Sequence, residues 1–290
     1  MIRLTNIKVP VKDISSLDDE QSFLLRAVTS KLRLEAKDIS DLRIHKKSID
    51  ARKKDNILFV YTVDISAKNK SALLKKKGVN MTPDMAYRGV GSGEEKLEHR
   101  PLIVGLGPAG LFAALILARR GYRPIVLERG EDVDKRAKSI GDFWSGGALN
   151  VESNVQFGEG GAGTFSDGKL TTLINDKRCR LILEEFIKAG GPKVILYSSK
   201  PHLGTDHLKK VVKNIRQEII AQGGEVCFST QVTDFFIEDG KVKAVEINGH
   251  ERLECDMAVL AIGHSARDTF QMLYRRDIPM KQKPFSIGLR

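Results

Sequence analysis

Cysteine, aromatic residues and long apolar runs are scarce in this chain of 290 residues. Its three cysteines, Cys179, Cys227 and Cys255, are too few and too scattered for a disulfide framework, and no pair has C-x-x-C spacing. No cluster of histidine and cysteine has metal-ligand spacing, so we expect no metal site. The longest apolar run, residues 111–118, is far shorter than the roughly 20 residues that a membrane-spanning helix needs. Because no apolar segment of signal-peptide length opens the chain, we expect a cytoplasmic protein.

Basic residues outnumber acidic ones, but aromatic residues do not accompany them. The net charge is +11, and residues 1–100 carry 21 Lys and Arg against 14 Asp and Glu. An excess of this kind attracts nucleic acid through its long-range field. The chain has no basic motif interleaved with aromatic residues for base stacking. We therefore interpret the charge as a solvated basic surface and do not expect a nucleic-acid partner.

The first hundred residues differ in pattern from the rest. Apolar alternation and helical spacing predict a β-α-β-β unit with strands near 2–9, 42–48 and 57–65 and a helix over 18–34. This order is typical of a small ferredoxin-like α+β module, which we place at residues 1–85. Glycine, proline and mixed charges then predict a linker at 86–100. The remaining residues, 101–290, are predicted to form one domain.

A glycine-rich turn between a short strand and a helix opens this second domain. Residues 102–104 are apolar and lead directly into a G-x-G-x-x-G sequence over residues 105–110. Leucine and alanine then predict a helix over 111–120, and residues 125–127 predict a second buried strand that ends at Glu128. Strand, glycine turn, helix, strand and terminal acid together predict a dinucleotide-binding βαβ unit.

Each residue of this pattern answers a physical need. Gly105 permits the tight turn, Gly107 lets the backbone approach a pyrophosphate, and Gly110 lets the helix pack closely on the strand. The free amides and positive dipole end of the helix, with Pro108 and Ala109 in its first turn, face the phosphates. Glu128 is expected to accept hydrogen bonds from ribose hydroxyls and to repel a 2′-phosphate.

The segments after Glu128 favour FAD over NAD. A second glycine-dense stretch covers residues 158–169 and can lay successive amides along a phosphate or flavin edge. A hairpin with an Asp-Gly turn at 239–240 follows, and then an apolar strand opens into a turn at Gly263. A plain NAD-binding domain stays open as an alternative at this point.

These segments resemble those of the glutathione-reductase-type FAD superfamily. Residues 154–170, 200–206 and 263–268 also resemble a bacterial family usually described as uncharacterised FAD-dependent, or NAD(FAD)-utilising, dehydrogenases. The resemblance implies a Rossmann-like α/β domain with a parallel sheet and an inserted hairpin or meander. It implies that Val232 touches adenine through its backbone and that Gly263 lies near non-covalently bound FAD. Besides the residues already named, the cofactor-binding candidates are Arg129, Gly160, Gly161, Ala162, Gly163 and Ser166.

Members of that family are longer than this chain. They return to the flavin with a Gly-Asp segment, whereas this chain ends in a strand-like run at residues 284–290. We therefore expect a truncated product that lacks part of the flavin site.

The predicted activity is that of an FAD-dependent oxidoreductase acting on a small-molecule substrate. Flavins carry out hydride transfer themselves, so the protein needs a cation near the ring and a general acid or base near the substrate. Lys169, His202 and His264 are the candidates for these catalytic roles, with NADH or NADPH as the electron donor. The alternative is a nucleic-acid-associated flavoprotein whose basic N-terminal module binds RNA.

Overall fold

The computed structural model describes residues 1–166, 168–172, 174 and 176–284, with the backbone alone at residues 17 and 18. Most of the strand-like run that the sequence predicts at the C-terminus lies outside these residues. The chain divides into two compact units, residues 1–89 with 169–203 and residues 90–168 with 204–290. The sequence analysis placed residues 169–203 in the second domain, whereas their contacts group them with the first unit.

The first unit contains a four-stranded antiparallel sheet. Its elements are β1 (Ile2–Pro10), α1 (Leu17–Leu32), β2 (Ile39–Asp50), β3 (Leu58–Ala67), α2 (Lys70–Leu73) and β4 (Val79–Met81). The strand order β2-β3-β1-β4 and the β-α-β-β-α-β succession are those of a ferredoxin-like sandwich. Alternate residues of β1 and β3 point into an apolar core that the buried side of α1 completes. This fold confirms the predicted α+β module and adds α2 and β4 to it.

Backbone hydrogen bonds attach the later segment to the edge of this sheet. That segment contains α3 (Lys177–Lys188), which is followed by a short 3-10 helix at Lys193–Leu196. The amide of Lys47 in β2 donates to the carbonyl of Tyr197 at 2.6 Å, and the amide of Ser199 donates to the carbonyl of Lys47 at 2.9 Å. An edge strand offers unpaired backbone groups, and these two bonds satisfy part of that edge. Long-range pairing of this kind has no local sequence signal.

A half-buried histidine makes the stability of the first unit depend on pH. The Nε2 atom of His45 lies 3.0 Å from an Arg3 guanidinium nitrogen, and Arg3 forms two hydrogen bonds with Asp64. Burial, together with the nearby Arg3 charge, lowers the pKa of His45 below its usual value of 6.5. The folded state therefore disfavours the protonated ring, and protonation favours the unfolded chain.

We expect the unfolding free energy to fall as the pH decreases from about 7.5 to about 5, through the ordinary histidine range. The stabilising contribution is present above the unfolded pKa and is lost as the pH drops through the lowered folded value. His45→Gln keeps a hydrogen-bond acceptor and removes the titration, so its pH dependence should be shallower. Urea unfolding at both pH values, followed by circular dichroism, measures the difference. Equal pH dependence in the two proteins would contradict this prediction.

The second unit is built on a parallel sheet. Its strands are β5 (Leu102–Val104), β6 (Ile125–Leu127), β7 (Glu225–Cys227) and β11 (Ala258–Leu260), in the order β11-β5-β6-β7. The helices are α4 (Pro108–Arg119), α5 (Val133–Trp144), α6 (Thr205–Ala221) and α7 (Arg267–Arg275). An antiparallel meander of β8 (Val232–Glu238), β9 (Lys241–Ile247) and β10 (Glu251–Glu254) lies between β7 and β11 in the chain. The predicted Rossmann-like domain with an inserted meander is thereby confirmed.

Burial explains the residue choice in these strands. Every residue of β5 is buried, as is expected for a parallel strand with both faces covered, and α4 packs beside it through small and apolar residues. The meander contributes a second apolar group around Phe235 and Val245. None of the helices in the described part of the chain has the length and apolar composition needed to span a bilayer.

Candidate functional site

A cavity of about 580 Å³ opens at the carboxyl ends of the parallel strands in the second unit. Val104, Leu127 and Leu260, the last residues of β5, β6 and β11, all line it. The chain leaves β5 toward β6 on one side, while β11 pairs with β5 on the other side. Crevices at such a topological switch point are where open α/β sheets bind their ligands.

The first glycine turn has the backbone geometry that its three glycines allow. Gly105 has φ +98°, and a side chain there would meet the carbonyl oxygen of Ala261 at 2.6 Å. A side chain on Gly110 would overlap the carbonyl oxygen of Gly105. Gly107 differs, because the nearest atom to its absent side chain is the Cα of Gly161 at 4.0 Å. Two of the glycines are therefore required by the turn, while Gly107 leaves space open beside the cavity.

The N-terminus of α4 faces this space. Gly107 is the N-cap, Pro108 is the first helical residue, and no side chain caps the helix. Gly107, Pro108 and Ala109 all line the cavity. The first amides of a helix lack partners within it and carry the positive end of its dipole. This end of the cavity is suited to an anionic group.

Glu128 holds three backbone segments together at the end of β6. Its side chain is only 4% exposed, and its carboxylate accepts hydrogen bonds from the amides of Leu106 (2.7 Å), Gly130 (2.8 Å) and Gly158 (3.1 Å). The carboxylate also lines the cavity. A carboxylate has about four acceptor positions, so these three bonds leave capacity for a ligand hydroxyl. The sequence predicted the ribose contact and did not predict the three amides.

Arg129, which also lines the cavity, is part of a charged cluster. Its guanidinium pairs with Glu152 at 2.6 Å and with both carboxylate oxygens of Asp268 at 3.0 Å, and it stacks over the Phe157 ring at 4.5 Å. Gln231 donates to the same Asp268 at 2.6 Å. The bidentate and stacking contacts hold the guanidinium in one orientation at the cavity wall.

The second glycine-rich loop lies against the first turn. The amide of Gly160 donates to the carbonyl of Leu106 at 2.8 Å, and a side chain on Gly161 would meet the Pro108 ring at 2.9 Å. Gly161 and Ala162 line the cavity next to Gly107 and Pro108. The two glycine-rich segments, far apart in the chain, thus form adjoining walls of one cavity.

Arg136 in α5 is a residue of this site that the sequence analysis missed. Its side chain is fully buried beneath the second glycine-rich loop. Burial lowers the pKa of its guanidinium to about 10, and the nearby carboxylates of Glu128 and Glu159 counteract part of this effect. The available signal was helical spacing, because Arg136 shares the buried face of α5 with Val133 and Ile140. An arginine on an apolar helix face indicates a buried polar partner.

A buried ion pair also supports this loop. Glu159 is fully buried, accepts from the amide of Val133 at 2.7 Å and pairs with Arg216 of α6 at 2.9 Å. Burial raises the pKa of its carboxyl group. The loop is thereby anchored to α5 and α6 by charged groups that lie away from solvent.

Most predicted cofactor-binding residues meet at the cavity. Those that line it are Gly105, Gly107, Pro108, Ala109, Glu128, Arg129, Gly161, Ala162, Val232 and Gly263. The residues that do not line it are Gly110, Gly160, Gly163 and Ser166. Gly110 and Gly160 shape the turns behind the wall, and the Ser166 hydroxyl donates to the Gly163 carbonyl at 3.4 Å. Their roles as ligand contacts stay predictions.

The three predicted catalytic residues fall in different units. His264 lines the cavity next to Gly263, and its Nδ1 atom lies 3.2 Å from the Ser265 hydroxyl. Lys169 and His202 belong to the first unit, where they pair with each other in an isolated antiparallel bridge. Their catalytic roles stay predictions.

Aromatic and polar residues outside the two glycine-rich segments complete the cavity wall. They immediately precede the second glycine-rich stretch, immediately precede β8 or lie in α7, and they are Gln156, Phe157, Thr230, Gln231, Thr269 and Phe270. Only folding brings them to the glycine turn, because they lie far from it in the chain.

Comparison with protein families gives two matches. The FAD binding domain family matches residues 98–141, which contain the glycine turn and Glu128. A domain family of unknown function (DUF8436) matches residues 1–66. The first match supports FAD as the dinucleotide of the second unit.

A relative and several solved structures are similar to this chain. A protein of Clostridium beijerinckii, described as uncharacterized, is 50% identical over 292 residues, which are 100% of this chain and 54% of that protein. The chain therefore spans about half the length of this relative. Thermovibrio ammonificans THI4 is 21% identical, with a TM-score of 0.40 over 62% of this chain and 63% of that one. Glycine oxidase from Bacillus cereus is 15% identical, with a TM-score of 0.41 over 62% and 59%. L-proline dehydrogenase from P. horikoshii is 15% identical, with a TM-score of 0.41 over 63% and 56%.

Proposed function

We propose that this chain is the cofactor-binding part of an FAD-dependent oxidoreductase that acts on a small molecule. The observation that carries the proposal is the cavity at the switch point of the parallel sheet, with the uncapped start of α4 at one end and the FAD-domain match over the same residues. A pyrophosphate needs a close backbone approach and unpartnered amides, and both are available at Gly107.

The residues present fit FAD at several points. The open space beside Gly107 accommodates the pyrophosphate, and the amides at the start of α4 would hold its charge. Glu128 would accept from a ribose hydroxyl with its remaining lone pair, while Val232 and Gly263 would line the path of the dinucleotide. A volume of about 580 Å³ is within the range of cofactor sites.

The chemistry divides between cofactor and protein. FAD, when bound, would supply a ring that can take up or release two electrons together with protons. The apolar strand ends around Val104 and Leu127 exclude water from part of the cavity, and the ion pairs of Arg129 hold its wall in place. His264 is proposed to exchange a proton with the substrate through its imidazole. Lys169 and His202 stay proposed catalytic residues.

We expect the purified chain to bind FAD more tightly than NAD⁺. The reason is that residues 98–141, which contain the glycine turn and Glu128, match the FAD binding domain family. Titration of FAD followed by flavin fluorescence, and of NAD⁺ by calorimetry, gives both dissociation constants. Binding of NAD⁺ without binding of FAD would contradict the proposed cofactor.

The electron donor and the alternative function need separate tests. NADH or NADPH as donor stays a proposal, which anaerobic bleaching of the flavin absorbance by each nucleotide tests in the FAD-loaded chain. The proposed alternative of an RNA-binding flavoprotein has no support among the family matches.

A further inference from the structure

A single buried arginine, Arg136, donates hydrogen bonds to carbonyl groups in and just before the second glycine-rich loop. The Nε atom of Arg136 donates to the carbonyl of Asn154 at 2.9 Å, and Nη2 donates to that of Val155 at 3.1 Å. Its Nη1 atom lies 2.6 Å from the carbonyl oxygen of Glu159 and 2.9 Å from that of Gly161. The planar guanidinium presents five N–H groups in a fixed fork, so these carbonyls must all turn toward one point.

The loop is folded closely around this side chain. A side chain on Gly158 would overlap the Arg136 aliphatic chain, so glycine is required there. The Phe165 ring stacks on the guanidinium at 4.6 Å and closes the other side. The guanidinium is therefore held rigidly, and its hydrogen bonds determine how each peptide group of the loop is oriented.

One of these peptide groups belongs to the cavity wall. A trans peptide is planar, with its C=O and N–H pointing in opposite directions. Because the carbonyl of Gly161 points at Arg136, the amide of Ala162 points away from it, and both residues line the cavity. Within the described residues, that amide has no hydrogen-bond acceptor.

We propose that Arg136 is a positioning residue, which turns the Ala162 amide into the cavity as a donor to the dinucleotide pyrophosphate. The location supports a phosphate as the acceptor, because Gly161 is the residue closest to the open space beside Gly107. A donor at Ala162 would then face the same anionic group as the start of α4. Arg136 contacts no ligand itself and acts through the loop. This inference rests on the proposed FAD function.

Ala162→Pro tests the donor without disturbing the loop carbonyls. Proline removes the amide hydrogen by bonding its ring carbon to the nitrogen, and the first position of a 3-10 helix, where Ala162 lies, accommodates its fixed φ. Loss of one hydrogen bond to a charged group should weaken FAD binding by about 10- to 100-fold. Ala36→Pro makes the same change at the first position of another 3-10 helix, in the first unit. This control should leave the dissociation constant unchanged.

A double-mutant cycle tests the link to Arg136. Arg136→Lys retains the charge but loses the fork, so it should also weaken FAD binding. If Arg136 acts through the Ala162 amide, the double variant binds FAD only slightly more weakly than Ala162→Pro alone. If Arg136 has only a structural role, the two substitutions act independently, and their fold-losses in FAD affinity multiply. If Arg136→Lys does not fold, the comparison of Ala162→Pro with Ala36→Pro decides the proposal.

The outcomes separate this inference from the proposed function. If the unmodified chain fails to bind FAD, the proposed function is wrong and the inference falls with it. If the unmodified chain binds FAD and Ala162→Pro binds it equally well, only the inference is overturned. Weakened binding by Ala162→Pro, normal binding by Ala36→Pro and non-multiplicative factors in the cycle support it.

Discussion

Gly107→Val is expected to weaken FAD binding by at least about 100-fold while the protein stays folded. The backbone at Gly107 has φ −70° and ψ −176°, which any L-residue adopts, and the nearest atom to a Cβ there is 4.0 Å away. The fold therefore leaves room for a Cβ atom at this position. Its methyl groups occupy the space that a pyrophosphate needs, so the phosphate loses several amide hydrogen bonds at once. FAD titration by fluorescence and thermal unfolding by circular dichroism measure the two effects separately.

Two other glycines give this experiment its controls. Gly141→Val places the same side chain on an exposed part of α5 with nothing within 4 Å, and should leave the FAD dissociation constant unchanged. Gly110→Ala should prevent folding instead, because its Cβ overlaps the Gly105 carbonyl oxygen. A Gly107→Val protein that retains FAD like the unmodified chain would place the pyrophosphate elsewhere.

Glu128→Ala is expected to lower the unfolding free energy by about 3 to 9 kcal/mol. Three buried amides, those of Leu106, Gly130 and Gly158, lose their acceptor when the carboxylate is removed. Glu128 is only 4% exposed, and each unsatisfied buried donor costs about 1–3 kcal/mol. The substitution also removes a negative charge that stabilises the Arg136 guanidinium. The sequence pointed only to a ribose contact, and the structure adds this scaffold role.

Urea unfolding without cofactor measures this effect on the scaffold alone. Glu254→Ala is a suitable control, since Glu254 is about half exposed and its ion pair with Arg252 lies on the surface. That change should alter the unfolding free energy by less than about 1 kcal/mol. If Glu128→Ala were as stable as Glu254→Ala, the three amides would have to find other partners. FAD titration of the folded fraction then reports the ribose contact separately.

The sequence by itself determined the parts of the site that depend on neighbouring residues. The strand–turn–helix at 102–119 follows from an apolar triplet, three glycines and a helix-forming run, all within one short segment. Turn geometry and capping act over a few residues, so their signals are readable locally. The same holds for the β-α-β-β order of the first unit and for the Asp-Gly turn between β8 and β9.

Only the tertiary structure decided which distant residues share the cavity. Nothing near Arg136 in the chain indicates that it binds carbonyls of residues 154–161, and nothing near Glu128 indicates its bond to Gly158. The pairing of Lys47 with Tyr197 and Ser199, which assigns residues 169–203 to the first unit, is equally non-local. Such contacts depend on packing and on the requirement that buried polar groups find partners, and both are satisfied only when the whole chain has folded.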